Sequence, residues 1–517
     1  MGFTVTLTVD MSEELGLEVN CRKNAGYAAI LKIYYDLKLD QFFNNDARNH
    51  GFEYSPNSIM TLLVVSRLLS PGSKQKAFDE KARYFERFDF SLADVYRCLS
   101  YFATKEFEVQ SHISEQITAC YGERNTKTVY YDVTNYYFEI DVEDELRKRG
   151  YSKENKKDPI VQMGLAMDAD GIPLHYELFP GNTPDTSTFR KVIGKVRLNY
   201  NTGRIIVVGD MGVISGDNIY YLAGGEKKDR TDNGYVLSYS IRGGSDEFKS
   251  YVLDSSGYRD KDGKVPGDDC DFKIKSNLIA REINVTMRDG KKKKKIVYEK
   301  QIVFWGKKYA DKARADREKT ILKAKSYVEN PGKYKRSAEK HGAAKYVEVL
   351  SIDDSTGEIL DADKTILFNE AQLLEDEKYD GYYSIVTSEK DMSDEEVIET
   401  YRGLWEIEET FKISKSTLEA RPVYLSRNER IQAHFLTCFI SLVIIRLLQK
   451  MTGKRYSSEK ILECLNRISC SHESENIYLF DYRSNLSDEI GKATGLDFTK
   501  KRLRLSDVKN IIASAKT

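Results

Sequence analysis

Cysteine and histidine are both scarce in this chain, and neither forms a cluster. The seven cysteines are scattered without a C-x-x-C pair, and the six histidines lie far apart. No histidine lies at zinc-finger spacing from a cysteine pair, so a zinc site is not expected. Histidine-based catalysis has little support, because the six histidines do not cluster. Scattered cysteines suit a reducing cytosol, which predicts a cytoplasmic protein.

Long hydrophobic runs and a leader sequence are also absent. The longest apolar stretch without a charge covers residues 435–445, which is too short to span a bilayer. This stretch predicts a buried core helix instead. The N-terminal sequence MGFTVTLTVDMSEELG lacks the basic region and the layout of a signal peptide. We therefore expect no association with a membrane.

An excess of charge of either sign is missing as well. The 517 residues include 80 basic and 81 acidic side chains, for a net charge of −1. A protein with this balance needs a local basic surface to bind DNA. Residues 288–340 supply one, with 19 lysines and arginines against 7 acidic residues and with aromatic residues between them. Basic side chains neutralise phosphates and aromatic rings stack on unpaired bases, so this segment is a candidate DNA contact.

The densest part of that segment is a run of five lysines. A solvated hairpin tip followed by a charged helix is the alternative interpretation of the run. The candidate phosphate contacts are Lys291, Lys292, Lys293, Lys294 and Lys295.

Two predicted strands end in an aspartate. Residues 127–133, KTVYYDV, alternate β-branched and aromatic residues up to Asp132. Residues 204–210, RIIVVGD, form a nearly continuous apolar run, typical of a buried central strand, that ends at Asp210. A carboxylate beside a buried strand is costly unless it is paired or bound to a metal. A single aspartate in this position more often caps the next helix, so each one alone leaves both interpretations open.

A third carboxylate lies in the stretch YRGLWEIEETFKISK. Seven residues separate Tyr401 from Glu408, and seven more separate Glu408 from Lys415, so one continuous helix places all three on one face. Leu404 and Phe411 share this face, which predicts that it is mostly buried. One interpretation is a carboxylate that helps to hold a metal beside a phosphate. The other is an amphipathic helix with one buried ion pair.

Four segments in series resemble the DDE transposases of bacterial insertion sequences. The resemblance is to the subgroup with a large insertion before the third acid and a helical Y-R-E-K signature. The segments are YYDVTNYYFE (130–139), GLAMDADGIPLHYELFPGNTPDTSTF (164–189), VVGDMGVISGDNIYYL (207–222) and YRGLWEIEETFKISKSTLEARPVY (401–424). A weaker match, SRLLSPGSK (66–74), lies in the N-terminal region.

The resemblance implies metal-dependent cleavage and transfer of DNA strands. Asp132, Asp210 and Glu408 match the three catalytic, metal-binding acids. Hard cations prefer such oxygen ligands, and two Mg²⁺ ions, or Mn²⁺ in their place, can stabilise the attacking and leaving oxygens. The implied partners are double-stranded DNA, as terminal inverted repeats and target, and a second copy of the chain in a homodimer or larger assembly. The implied location is the bacterial cytoplasm, at the nucleoid.

The resemblance also implies three contacts with DNA and shows one departure from the signature. Tyr401 and Lys415 match the signature residues and are implied to contact DNA phosphates. Leu404 departs from the signature, because the family often has arginine there. Trp305 lies in the inserted region, where an aromatic residue of related enzymes stacks on a flipped base. Packing within a hairpin is the favoured alternative for Trp305, and packing behind the Glu408 face is expected for the other tryptophan, Trp405.

The expected fold is α/β, with an RNase H-like catalytic core that a mostly β insertion interrupts. A helical N-terminal region and a helical C-terminal tail complete it. Family members often carry more residues ahead of the N-terminal region, which leaves the true start open. The expected domains are 1–120 (helical, DNA-binding), 124–225 (first part of the core), 226–385 (basic β-rich insertion), 386–450 (second part of the core) and 451–517 (helical C-terminal region).

Two other classes of function stay open on the sequence alone. One is a DNA-binding relative that has lost cleavage, which the three intact acids disfavour and the departure at Leu404 leaves possible. The other is an RNase H-like nuclease without strand transfer, which the large insertion and the signature helix disfavour. Inverted repeats that flank the reading frame would favour the transposase.

Overall fold

The structure is a computed structural model with two compact units. The first unit comprises residues 1–207, 227–233 and 403–517, and the second comprises residues 208–226 and 234–402. Within these ranges the structure describes residues 12, 14, 22–151, 157–200, 202–210, 212, 215–224, 233–267, 269–287, 289–329, 342–351, 364–421, 423–474 and 476–517.

The chain begins with helices and continues into strands. The elements up to residue 209 are β1 (Arg22–Asn24), α1 (Tyr27–Asp36), α2 (Leu39–Ala47), α3 (Pro56–Leu69), α4 (Lys74–Asp79), α5 (Leu92–Thr104), α6 (Glu106–Tyr121), β2 (Thr128–Tyr137), β3 (Ile160–Met167), β4 (Pro173–Pro180), α7 (Asp185–Asn199) and β5 (Ile206–Gly209). A 3₁₀ turn over Glu80–Arg83 follows α4.

The middle of the chain alternates long strands with helices. Its elements are α8 (Gly216–Leu222), β6 (Gly234–Ser238), α9 (Asp246–Leu253), β7 (Phe272–Thr286), β8 (Lys292–Gly306), α10 (Lys307–Glu329), β9 (Val347–Ser351), β10 (Lys364–Phe368), α11 (Glu370–Glu377), β11 (Tyr382–Thr387) and α12 (Asp394–Arg402). The remaining elements are α13 (Trp405–Lys412), α14 (Asn428–Met451), α15 (Ser458–Arg467), β12 (Ser469–Ser474), β13 (Ile477–Phe480), α16 (Asn485–Thr494), β14 (Arg502–Arg504) and α17 (Leu505–Ser514).

Helix α14 is the core of the first unit. It is long and apolar enough to cross a bilayer by length and composition, but 94% of its most apolar window is buried inside the protein. It packs against α3 and α5. The sequence SPNSIMTLLVVSRLL (55–69) predicts a helix with Ser55 as its N-cap and a proline in its first turn. Ser55 accepts a hydrogen bond from the Ser58 amide and Pro56 opens α3, which confirms this start. The apolar run at 435–445 is confirmed as part of a core helix.

Strands β2, β3 and β4 form an antiparallel meander in the first unit. Asp132 pairs with Leu165 across β2 and β3, and β3 returns into β4 through a turn in which Gly171 has φ +78°. The turn sequence Ala-Asp-Gly at residues 169–171 predicts a hairpin here. The left-handed conformation of Gly171, which glycine adopts readily, and the β3–β4 pairing confirm it. Helix α7 begins at Asp185, where the sequence predicts a helix start. The expectation that the first strand ends at Asp132 is wrong, because the pairing continues to Tyr137.

The C-terminal region contains a small sheet as well as helices. Its strand order is β1-β12-β13-β14, so the N-terminal strand pairs with the C-terminal region of the same unit. These short strands have little periodicity, and the sequence interpretation treats the region as helical. Pairing with β1, more than 400 residues away in the chain, fixes β12 as a strand.

The second unit is built on the sheet β6-β11-β8-β7. Its strands β7 and β8 are 15 residues each and pair along their whole length. The turn between them closes with Met287 donating to the Lys291 carbonyl at 2.9 Å. A separate two-stranded ladder joins β9 to β10. The charged helix expected near residues 310–328 is α10.

Candidate functional site

One face of β2 carries Asp132 between two tyrosines. Alternate residues of a strand share a face, so Tyr130, Asp132 and Tyr136 point to the same side. Tyr136 shares a hydrogen bond of 2.8 Å with Ser414. At the other end, a Cβ atom at position 403 would overlap the Tyr130 hydroxyl, so only glycine fits there. The segment 403–414 is therefore held against β2 on either side of Asp132.

The signature stretch is not one helix, and that prediction is wrong. Helix α12 ends at Arg402, residues 403–404 form a turn, and α13 begins at Trp405. Residues 413–417 then form a π-helix, which has more residues per turn than an α-helix. The seven-residue spacing therefore does not place Tyr401, Glu408 and Lys415 on one continuous face. Gly403 allows the break, because the close approach of Tyr130 leaves no room for a side chain.

Burial on α13 differs from the prediction at the carboxylates. Leu404 and Phe411 are both buried, each 6% exposed, as the sequence predicts. Glu408, however, is exposed, and the buried carboxylate is Glu406. Helix α13 packs against β2, so Glu408 lies on the element next to Asp132, with access to solvent. Trp405 is 55% exposed, so the expectation that it packs behind the site is wrong.

Arg446 on α14 holds α13 in place, and sequence reasoning missed it. Its guanidinium donates to the Glu406 carbonyl at 2.7 Å and to the Thr410 hydroxyl at 2.6 Å. It also pairs with the Glu409 carboxylate at 3.2 Å, while Lys454 pairs with Glu406 at 2.8 Å. These bonds join parts of the chain that no local pattern connects. They fix the rotation of α13 about its axis and leave Glu408 outside the pairing.

Lys415 lies over the buried ring of Tyr136. Its Nζ is 5.7 Å from the ring centroid, within the range of a cation–π contact. Burial raises the pKa of Tyr136 above its ordinary value, so the phenol stays neutral at physiological pH. The π-helix thus places a half-buried ammonium group on the β2 face that carries Asp132.

Asp210 and Tyr401 belong to the second unit. Asp210 follows β5 directly and is exposed, and Ser238 at the end of β6 donates a hydrogen bond of 2.5 Å to it. Tyr401 lies in the last turn of α12. The spacing of Ser393 and Glu396 matches a capping box, which predicts a helix start here, and their two hydrogen bonds at the start of α12 confirm it.

The five lysines lie at the tip of the β7–β8 hairpin, and they are not equivalent. Lys291, Lys292 and Lys293 are exposed. Lys294 is also exposed but pairs with Glu282 at 2.7 Å. Lys295 is half-buried, with its Nζ 5.6 Å from the Tyr220 ring.

Helix α8 supports this hairpin from within the second unit. The Thr286 amide donates to the Asp217 carboxylate at 2.5 Å. A Cβ atom at Gly216 would overlap the Asn284 carbonyl, so the helix start lies directly against β7. The segment that follows Asp210 therefore braces the strand that leads to the lysine tip.

Trp305 lies at the opposite end of the hairpin from the lysine tip. It is half-buried and its indole Nε1 donates to the Asp380 carbonyl at 2.9 Å. It pairs across the sheet with Tyr382. These contacts favour a packing role, and base stacking by Trp305 stays a prediction.

The three predicted acids offer a ligand set that suits a hard divalent cation. All their donors are carboxylate oxygens, which Mg²⁺ and Mn²⁺ prefer, and two of the acids are exposed to solvent. Among the residues that the structure describes, no three histidine, cysteine, aspartate or glutamate side chains form a group that would hold a metal ion. The cysteines that the structure describes are free thiols.

Comparison with protein-family models shows the family of this chain. The family model of the transposase DDE domain matches residues 138–444, which is more than half of the chain. The match covers Asp210, Tyr401 and Glu408 and begins six residues after Asp132. A search of curated proteins found no match.

Proposed function

Because this chain belongs to the family of transposases with a DDE domain, we propose that it cuts DNA at the terminal inverted repeats of an insertion sequence and joins the ends to a target. The reaction proposed is phosphoryl transfer on DNA that requires divalent metal. The first unit supports an RNase H-like core, since the meander β2–β3–β4 is followed by α7 and by β5, whose Ile206 amide bonds to the Lys127 carbonyl next to β2.

The geometry of β2 and α13 carries the proposal. Two anchors, Gly403 against Tyr130 and Ser414 against Tyr136, hold this segment to the face of β2 that contains Asp132. Glu408 lies between the same two anchors in the sequence. The two acids are thus on adjoining elements of one unit, although 276 positions separate them in the chain.

We assign the metal-binding role to Asp132, Glu408 and Asp210. When bound, a pair of Mg²⁺ ions would supply positive charge to activate the attacking hydroxyl and to stabilise the departing 3′ oxygen. Lys415, held over Tyr136, is assigned a charged hydrogen bond to a phosphate oxygen. Tyr401 is assigned a neutral hydrogen bond to a second phosphate.

DNA binding is assigned to surfaces outside these acids. The exposed lysines at the hairpin tip present positive charge to backbone phosphates. The helices before β2 are assigned recognition of the terminal repeats, in keeping with the family. The substrate places the reaction in the bacterial cytoplasm, at the nucleoid, and pairing of two DNA ends requires at least two copies of the chain.

A plasmid that carries the sequences flanking the reading frame tests the proposal. We expect strand cleavage by the wild-type protein and at least a hundredfold loss in Asp132→Asn, Asp210→Asn and Glu408→Gln. A gel-shift titration should show that the same variants bind the plasmid ends with near wild-type affinity, because the acids hold metal rather than DNA.

Glu139→Gln is the matched control, because Glu139 is an exposed acid that follows β2. It should cleave at the wild-type rate. Wild-type cleavage by any one of the three site variants would remove that residue from the assignment. Cleavage without joining would indicate a nuclease, and binding of the ends without cleavage would indicate an inactive relative.

A further inference from the structure

A cavity of about 230 Å³ lies in the first unit, beside the segment that follows the π-helix. It is formed by the end of α3, the start of α4, α5, α14 and residues 419, 421 and 423–425. The side chains that define its character are Arg67, Lys74, Tyr96, Arg421, Tyr424 and His434. Two of them, Arg67 and Lys74, come from the weakly matched motif SRLLSPGSK, to which the proposed chemistry assigns no role.

Lys74 is a buried cation whose one hydrogen-bond partner in the described structure is a neutral ring. It is 5% exposed, and its Nζ lies 2.8 Å from His434 Nδ1. The other ring nitrogen, Nε2, lies 3.1 Å from the Ala420 carbonyl, which can only accept. His434 must therefore carry its proton on Nε2 and accept at Nδ1 from Lys74. Two of the three Lys74 protons are left for another acceptor.

Arg67 is a second buried cation in the same wall. It is 5% exposed and donates to the carbonyls of Leu418 at 3.0 Å and Gly72 at 2.9 Å. Its Nε is buried and has no hydrogen-bond partner among the described residues. Within the same part of the chain, neither Arg67 nor Lys74 forms an ion pair with a carboxylate. Glu419 gives Arg67 only its backbone carbonyl, at 3.3 Å, and its side chain is exposed.

Two buried cations without a counter-charge are costly. Burial and the neighbouring Arg67 lower the pKa of Lys74 from 10.5 to about 7, which expresses that cost. An anion in the cavity would offset it and supply the missing acceptors. The cavity also has room for a group much larger than a water molecule, whose share of liquid volume is about 30 Å³.

We propose that this cavity binds a phosphate group of the DNA backbone, with Lys74 and Arg67 as its donors. The choice of DNA as the source rests on the proposed function. The choice of phosphate rests on the two cations without a carboxylate partner, Lys74 and Arg67, and on a third cation in the lining, Arg421, whose guanidinium lies 5.6 Å from the Tyr137 ring.

The phosphate bound here is not the one that reacts. Asp132 and Tyr137 are five positions apart on β2, about 16 Å at roughly 3.3 Å per residue. Arg421, which lines the cavity, contacts the Tyr137 ring, and Tyr137 points to the face of β2 opposite to the one that carries Asp132. We therefore assign the cavity a phosphate of the DNA strand that lies away from the cut.

Thermal melts with inorganic phosphate test the cavity without DNA. At matched ionic strength, phosphate should raise the melting temperature of the wild-type chain more than chloride does. Lys74→Met should remove this difference, because methionine keeps the volume and loses the charge. Lys76→Met is the matched control on the same helix, since Lys76 is exposed and bonds only to the Pro71 carbonyl. It should retain the full shift.

Salt titrations of DNA binding test the source of the phosphate. Lys74→Met should weaken binding about tenfold and reduce the log–log salt slope by roughly 0.9, the value for one phosphate contact. Lys76→Met should keep the wild-type slope. Should Lys74→Met not fold, Lys74→Gln preserves the hydrogen bond to His434 and is expected to give the same two losses.

Equal phosphate shifts in the wild-type chain and Lys74→Met would overturn the proposal, as would the absence of a shift in the wild-type chain. A phosphate shift with an unchanged DNA salt slope would overturn the assignment to DNA. Asp132→Asn separates this proposal from the proposed function. That change lies outside the cavity and should leave both readouts at wild-type values even though cleavage is lost.

Discussion

Leu404 occupies the position where related signatures often carry arginine, and its surroundings explain the departure. It is 6% exposed and immediately precedes α13, whose rotation Arg446 fixes through Glu406 and Thr410. An apolar side chain at 404 therefore packs into the first unit. A buried side chain at this position offers no phosphate contact, and Lys415 is the residue to which the proposed function assigns one.

Leu404→Arg should destabilise the protein rather than restore activity. A buried guanidinium without a partner typically costs about 3–5 kcal/mol, whereas Leu404→Met should cost less than about 1.5 kcal/mol. Urea unfolding of the two variants beside the wild-type chain measures the difference. An Arg variant of wild-type stability with higher cleavage activity would show instead that the side chain reaches DNA.

The buried lysine makes stability depend on pH. The pKa of Lys74 is about 7 in the folded chain and near its ordinary 10.5 when unfolded, so the unfolded chain binds the proton more tightly between these values. The free energy of unfolding of the wild-type chain should therefore rise with pH in this window, relative to Lys74→Met. The rise is at most about 1.4 kcal/mol per pH unit. The charged and titratable groups around Lys74 are Arg67, Tyr96, Glu419, Arg421, His434 and Cys438.

Urea unfolding at several pH values from about 7.5 to 9.5 measures this difference. His434 does not contribute to the slope there, since burial and the nearby Lys74 hold its pKa well below the ordinary value. A difference between wild type and Lys74→Met that stays constant over this range would show that Lys74 keeps its ordinary pKa in the folded chain.

At the scale of elements, the signature stretch works as three pieces. Helix α12 ends the second unit, α13 carries Glu408 in the first, and the π-helix turns Lys415 over Tyr136. A single α-helix would hold the three residues at fixed angles of 100° per position. The break at Gly403 and the π-helix free Glu408 and Lys415 from that constraint, so each is oriented by its own contacts.

The β7–β8 hairpin allows a direct test of whether one element binds DNA. Lys291, Lys292 and Lys293 are exposed at its tip, and the described structure shows no ion pair for them. Changing all three to Gln should weaken DNA binding and lower the log–log salt slope by up to roughly 0.9 for each phosphate lost. Because the tip is exposed, we expect the melting temperature to stay within about 1–2 °C of the wild type.

A triple variant elsewhere controls for the loss of charge. Lys500, Lys501 and Lys509 are exposed lysines near the C-terminus, and their change to Gln removes the same net charge. This control should keep the wild-type salt slope. Identical salt slopes of DNA binding for the two triple variants would show that the hairpin tip is a solvated turn that does not contact DNA.

At the scale of the whole molecule, the sequence predicts well those features, such as caps and turns, that depend on neighbouring residues. The Ser55 cap, the turn at Gly171 and the capping box at Ser393 all depend on residues within a few positions of one another. The break at Gly403 depends on Tyr130, and the Lys74–His434 bond joins residues 360 positions apart. Contacts between residues so far apart produce no periodic pattern in the sequence. For this reason the sequence does not predict that Glu406, rather than Glu408, is the buried carboxylate.

The proposed dependence on metal is tested on the whole chain, because the three assigned acids, Asp132, Asp210 and Glu408, are spread over 277 positions of the sequence. Their donors are all carboxylate oxygens, so cleavage should stop in excess EDTA and return with Mg²⁺ or Mn²⁺, while Zn²⁺ should not replace them. Binding of the plasmid ends should survive EDTA, since the hairpin lysines need no metal. Isothermal titration calorimetry with Mn²⁺ measures metal binding directly. Asp132→Asn should lower the affinity for Mn²⁺, whereas Glu139→Gln should leave it unchanged. Full cleavage in EDTA would refute a metal-dependent reaction.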